Sequence, residues 1–230
     1  MSRDQAERLW ARASELGPGA QVVEIGSYRG RSMTVLASAA PPTARLVAID
    51  PHAGNDRGPQ QWEGTTEEGR ADNEAFWANL QRAGVADRVM HVRKPSQAAL
   101  QDVAGAVDLL YIDGAHRFSP ARADIVRWGA RVPVGGTMLV HDSFSSIGVT
   151  FALLTSVTFG SQFRYAGRSR SLAEYRRVAR LNGQDRVTNA GRQLKPLGWF
   201  VRNVALKVAI VARLRPVARW IGGGSDAWPY

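Results

Sequence analysis

No cysteine occurs among the 230 residues, so disulfides and thiolate chemistry, nucleophilic or metal-binding, are excluded; the absence is compatible with the cytosol. No apolar run is long enough, or free enough of charge, to read as a transmembrane helix. Met1 to Leu16 carries Arg3, Asp4, Glu7, Arg8, Arg12 and Glu15 and has no apolar stretch of the signal-peptide kind. Acidic residues are scarce in one region only. Residues 1–160 hold 16 Lys/Arg against 17 Asp/Glu, whereas residues 161–230 hold 14 against 3. The net charge of +10 therefore belongs to the C-terminal part, which points to an anionic surface as its partner, membrane or nucleic acid. Internal repeats are absent, and low complexity is limited to Gly222-Gly223-Gly224.

What is present reads as alternating strands and helices. Gln21 to Ile25 is a short buried strand, Gly26 to Gly30 a tight turn, and Arg31 to Ala40 a helix. Strand, glycine turn and helix make a ligand site, because the helix start offers unpaired N–H groups and glycine lets backbone approach the ligand. A dinucleotide site would carry G-x-G-x-x-G. Here bulky Tyr28 stands where the second glycine belongs, and acidic Glu24 precedes Gly26 by two residues. That argues against NAD.

Further strands are expected at Arg45–Asp50, Arg88–Val92, Val107–Ile112 and Thr137–Val140. Helices are expected at Asn73–Gly84, Ser96–Val103, Pro120–Trp128 and Phe151–Val157. The polar, glycine-rich stretch Pro51 to Asp72, with Trp62 in it, reads as a lid. Gln162–Tyr165 and Ser171–Val178, split by Gly167, read as a terminal hairpin. The expected fold is α/β, a Rossmann-like doubly wound seven-stranded sheet over residues 1–180, followed by a basic helical extension over 181–230.

Ligands of such sheets bind at the carboxyl ends of the strands. Four expected strands end in Glu24, Asp50, Asp113 and His141-Asp142, with His116 nearby. An acid like Asp50, 24 residues after Gly26, accepts ribose hydroxyls in nucleoside sites; it can also cap a helix. No Cys/His zinc pattern and no nucleophile elbow appears.

Glu24-Ile25-Gly26-Ser27-Tyr28-Arg29-Gly30-Arg31-Ser32, then Ile112-Asp113-Gly114-Ala115-His116, then Gly135-Gly136 through His141-Asp142, resembles the methyltransferase-24 family. That family is related to macrolide, aminocoumarin and sugar O-methyltransferases, and the resemblance covers about residues 20–178. It implies a methyltransferase using S-adenosylmethionine (SAM), transferring methyl to a hydroxyl of a small-molecule, sugar or lipid-linked acceptor. By resemblance Glu24, Gly26, Ser27, Gly30 and Ser32 hold the methionine end of SAM, Asp50 the ribose, and Ser96 lies near adenine. Asp113 and Asp142 match positions at which relatives hold a divalent metal such as Mg²⁺; the alternatives are a SAM-amine contact for Asp113 and a helix cap for Asp142. Ala115 stands where the family often has an acid, so the proton acceptor is expected at His116 first, His141 second and His52 last.

Two other functions remain open. An RNA methyltransferase is suggested by the basic tail, although no Asn-Pro-Pro-Tyr motif or RNA-binding module accompanies it. A SAM-binding module recruited to membranes without catalysis is the other. Trp199 to Ile221 mixes Trp, Phe and aliphatic residues with Arg and Lys, and Pro216 should divide it into two helices. A stripe of Phe200, Val204, Val208, Val211 and Arg215 suits an anionic membrane interface; dimerisation or packing on the sheet is the alternative. The expected location is cytoplasmic, peripheral on the inner face of the membrane.

Overall fold

The computed structural model describes residues 1–54 and 66–222. Trp62 and half of the expected lid, residues 55–65, lie outside the described residues. Seven strands form one sheet in the order β3-β2-β1-β4-β5-β7-β6. They are β1 (Gln21–Ile25), β2 (Arg45–Ile49), β3 (Val89–Val92), β4 (Leu109–Ile112), β5 (Thr137–Val140), β6 (Phe163–Ser169) and β7 (Leu172–Arg177). The first five pair in parallel, and β7 joins β5 antiparallel with β6 outside it, as expected.

Every residue of β1, β4 and β5 is buried. Continuous burial follows from a parallel sheet covered on both faces, and it explains why these strands are mainly apolar. Below the sheet, α1 (Arg3–Ser14), α2 (Arg31–Ala39) and α3 (Thr66–Arg82) bury Leu9, Met33, Leu36, Phe76 and Leu80 against Val22, Leu109 and Tyr111. On the opposite face, α4 (Phe118–Gly129) and α5 (Ile147–Leu153) bring Ile125, Trp128, Val149 and Leu153 against Val23, Ile25, Leu110 and Ile112.

Several expectations need correction. The helix expected from Asn73 begins at Thr66, and Gly69 is required there because a Cβ would meet the His52 carbonyl at 2.0 Å. Ser96–Val103 is no helix: Pro95 starts a turn, and only Ala99–Gln101 forms a 3₁₀ turn. The helix expected at Phe151 is α5, which starts earlier, and a π turn at Leu154–Thr158 continues it. Gly167 is not the hairpin turn but a bulge inside β6, where the register shifts and φ is 121°. The chain reverses at Arg170–Ser171 instead.

The C-terminal part forms α6 (Gly183–Leu194), α7 (Leu197–Val211) and α8 (Arg215–Ile221), with Pro216 in the first turn of α8. From α6, Asn189 accepts the Tyr165 N–H at 2.8 Å and donates to the Phe163 carbonyl at 3.0 Å, so one amide side chain pairs the outer edge of β6. The buried face of α7 is Asn203, Leu206 and Ala209, while Val208 and Val211, of the stripe read from the sequence, are exposed. The reason is that α8 folds back, packing Ala218 and Ile221 onto Leu206, Ala209 and Ile210.

Candidate active site

The strand order reverses between β1 and β4, and the two loops leaving these strands meet there. Asp113 N–H donates to the Ile25 carbonyl at 2.8 Å, and Gly26 N–H to the Ile49 carbonyl at 2.8 Å. Gly26 has φ 84°, and a Cβ there would lie 2.2 Å from the Asp113 carbonyl oxygen. The glycine is thus demanded by the neighbouring loop, where the sequence suggested approach to a ligand. Gly30 (φ 77°) opens α2 and abuts Phe76.

On the β1–β2 side, Glu24 is wholly buried. Ser32 Oγ donates to its Oε1, while Oε2 and the nearby buried Ser27 hydroxyl have no partner. Burial, reinforced by Asp113 and Asp50 and opposed by the Ser32 hydrogen bond and the nearby Ser27 hydroxyl, pushes the Glu24 carboxyl up to about 8. Asp50 ends β2 and accepts the Tyr28 N–H at Oδ2 and the His52 N–H at Oδ1, both at 2.8 Å. It caps two loops rather than a helix, and a carboxylate so engaged retains lone pairs for further donors. Ser96 Oγ donates to Asp124 at 2.5 Å and Gln97 Nε2 at 2.6 Å, and burial lifts Asp124 to about 6 against both bonds.

On the β4–β5 side, Asp113, His141 and Asp142 each bring one donor atom within 4.8 Å of the others. His116 Nε2 lies 2.8 Å from Asp142 Oδ2, and His141 Nδ1 lies 3.1 Å from Asp113 Oδ1 and 3.5 Å from Asp142 Oδ1. His141 Nδ1 is buried and not aligned for a hydrogen bond with either carboxylate. Burial opposes charge on His141, but Asp113 and Asp142 overcome it and hold the imidazolium up to about 10. For Asp142 burial also opposes ionisation, and His116 at 2.8 Å together with the nearby His141 outweighs it, holding the carboxyl well below the usual range. His52 is instead buried beneath the β2 loop, in a 5.0 Å edge-on contact with His91, far in function from this pair.

Sequence reading missed three contributors. Tyr111, wholly buried, donates to Asp113 Oδ2 at 2.9 Å; its position two residues earlier on the same strand face is the signal that would have found it. Asp124 is the second, with no local sign of its role. Lys207, from α7, is the third: its Nζ donates to the Ser145 carbonyl at 2.9 Å, in the loop that follows Asp142.

Residues 23–143 match a family model described as a methyltransferase domain, of the methyltransferase-24 group. A catechol O-methyltransferase of Mycobacterium tuberculosis is 33% identical over 127 residues, 54% of this chain and 47% of that protein. The chain spans about half the length of this curated relative. The O-methyltransferase NovP superimposes with a TM-score of 0.58 at 17% identity, over 76% of this chain and 80% of that one. The O-methyltransferase TomG of Streptomyces achromogenes, solved in complex with SAM, gives 0.52 at 20% identity, over 78% and 82%. Both structural likenesses are likenesses of fold.

Proposed function

The chain belongs to the methyltransferase-24 family, and we propose that it transfers the methyl group of SAM to a hydroxyl of a small-molecule acceptor. The observation that carries this reading is Glu24. A carboxyl wholly buried at a strand end, raised to about 8 and with one oxygen unpartnered, is completed by a cationic amine, which the methionine end of SAM supplies. Ser27, whose buried hydroxyl also lacks a partner, and Ser32 hold the same end with the backbone of Gly26 and Gly30. Asp50 takes the ribose hydroxyls on its remaining lone pairs. Ser96, having given its proton to Asp124, offers an acceptor oxygen toward adenine. Bound SAM supplies an electrophilic methyl; the protein's part is to aim an oxygen at it and take away a proton.

His116 suits the proton-acceptor role. Asp142 accepts from Nε2 and leaves Nδ1 to receive the hydroxyl proton, while stabilising the imidazolium that results. His141, already an imidazolium between two carboxylates, has no lone pair to offer in this arrangement. Asp113 and Asp142, joined by His141 once its Nδ1 has released its proton to the incoming ion, would hold a divalent cation, since these three groups each bring one donor atom within 4.8 Å of the others. Mg²⁺ suits the carboxylates, and the added imidazole also suits Mn²⁺. A cation bound there lowers the pKa of an acceptor hydroxyl.

The test is purified protein with methyl-labelled SAM, catechol and a cell lysate, with and without chelator. Label in a soluble small molecule supports the reading; label confined to RNA overturns it in favour of an RNA methyltransferase. Turnover lost in chelator and restored by Mg²⁺ or Mn²⁺ supports the cation, and full turnover in excess chelator removes it.

A second reading concerns the outer face of α7 and α8. Val201, Val208, Val211, Leu214, Val217 and Trp220 are exposed there among Arg202, Arg213, Arg215 and Arg219. No helix among the described residues is long and apolar enough to cross a membrane. We propose that this face docks on an anionic bilayer, each cation near the surface adding about 1 kcal/mol, and that the acceptor is lipid-linked. Salt-sensitive co-sedimentation with anionic vesicles tests it. Protein that stays in the supernatant at low salt contradicts docking and leaves the face to a homodimer contact, read by analytical ultracentrifugation.

A further inference from the structure

The SAM-facing residues lie on β1 and β2, and the His116–Asp142 pair lies over β4 and β5, so the acceptor approaches from the β5 side of the sheet. That is where α7 crosses. Its residues lie outside the 23–143 segment matched by the family model.

The loop from His141 to Ser146 is locally unfavourable. Asp142 has φ 54° and Phe144 φ 59°, two left-handed residues that are not glycine within three positions. Such a loop persists only where surrounding contacts determine it. Within the loop the Asp142 carbonyl accepts the Ser145 N–H at 3.1 Å and the Ser146 N–H at 2.9 Å. Across it, Ser143 N–H reaches the Ser171 carbonyl at 2.9 Å, and Ser146 Oγ reaches the His116 carbonyl at 3.2 Å. The Ser145 carbonyl is held from outside by Lys207 Nζ at 2.9 Å. The amine is half-buried; burial lowers its pKa and the charge of Asp142 offsets this. One turn earlier on the same helix face, Asn203 is wholly buried with neither amide atom partnered, so this face of α7 is polar where the α8-facing side is apolar.

We infer that Lys207 is a positioning residue: from α7 it holds the 141–146 loop in the strained form that presents Asp142 to His116, making the basic C-terminal helix the acceptor-side wall of the active site. Its catalytic meaning rests on the methyl-transfer reading; its structural content does not.

Full-length protein, Lys207→Met and Lys207→Arg are compared by hydrogen exchange at Ser145 and Ser146 and by NMR of the His116 and His141 rings. Loss of one hydrogen bond from a locally opening loop predicts exchange about fivefold faster in Lys207→Met, with displaced His116 ring signals. Lys207→Arg, which reaches the carbonyl, restores both, and exchange within 197–211 stays at the parent rate. Parent-like loop exchange and ring signals in Lys207→Met overturn the inference, as does failure of arginine to restore them. Should methionine loosen α7 itself, Lys207→Ala is read instead, and parent-like exchange there overturns it equally. Calorimetry of SAM on the parent protein separates the two ideas. Absence of SAM binding refutes the functional reading and leaves the loop result standing.

Discussion

Two carboxyls at the same rim of the sheet hold opposite charge states. Glu24, at the end of β1, is pushed up to about 8 by burial, while Asp142, after β5, is held well below the usual carboxylate range although it too is largely buried. The difference lies in what the chain places beside each. Asp142 has His116 at 2.8 Å and His141 at 3.5 Å, whereas Glu24 has only hydroxyls and other acids around it. One half of the site carries its own imidazoles, with His141 held as a cation, and the other leaves that place to a ligand. On this account the β1–β2 half is a receptor for a cationic cofactor and the β4–β5 half is a preassembled proton-transfer site.

The largest expected effect comes from Asp142→Asn. Turnover should fall about 10³-fold, the scale of a lost acid–base partner, while SAM affinity stays unchanged. A matching fall in SAM affinity would show that the two halves are not separate.

Glu24→Gln comes next. The raised pKa means that the Glu24 contribution to stability is fully present below the ordinary glutamate pKa of 4.5 and is lost as pH rises through about 8. His141, also raised, contributes fully below 6.5 and loses its part as pH rises through about 10. Denaturant titration of Glu24→Gln should therefore lack the decline between about pH 4.5 and 6.5 and keep the later one that His141 supplies between about 6.5 and 10, the Glu24 part being worth at most about 5 kcal/mol. An unchanged pH profile would mean that Glu24 is ionised in the folded protein. His116→Ala should lower turnover more than SAM affinity, and equal activity would leave the proton to water.

The sheet was legible because its central strands are buried on both faces and so spell short, mainly apolar runs, as in Leu109–Ile112 and Thr137–Val140. The rim acids were legible because each lies within two residues of a strand's carboxyl end. Charge state was not, since the pairing of Asp142 with His116 and of His141 with Asp113 joins residues from two loops, a purely tertiary fact. Alanine-rich Ser96–Val103 misled because helix propensity is weak beside the Pro95 turn. In α7 the inward face was not legible: α8 folds back onto small residues, so Ala209 and Ala218 are buried while Val208 and Val211 face outward. Nothing in the local sequence of Lys207 announces its reach to Ser145.

Asp50→Ala probes the cofactor half alone and should weaken SAM binding by about 1–3 kcal/mol, the scale for leaving buried polar partners unpaired. It also frees the Tyr28 and His52 N–H groups, so Asp50→Asn, which keeps an acceptor, should lose less. Unchanged affinity in folded Asp50→Ala would remove the ribose assignment. The smallest effect on the fold is expected from Trp220→Ser, at a side chain 84% exposed: stability within about 0.5 kcal/mol of the parent, with weaker co-sedimentation on anionic vesicles. Undiminished sedimentation would take Trp220 out of the docking face.

The contrast between the two halves is tested most directly by calorimetric titration of SAM at pH 7 in two buffers of different ionisation enthalpy. If Glu24 is protonated until the amine of SAM arrives, binding should release about one proton, the observed enthalpy should differ between buffers accordingly, and Glu24→Gln should abolish the difference. Tight SAM binding with the same enthalpy in both buffers would contradict the account, because Glu24 would then be ionised before the cofactor binds.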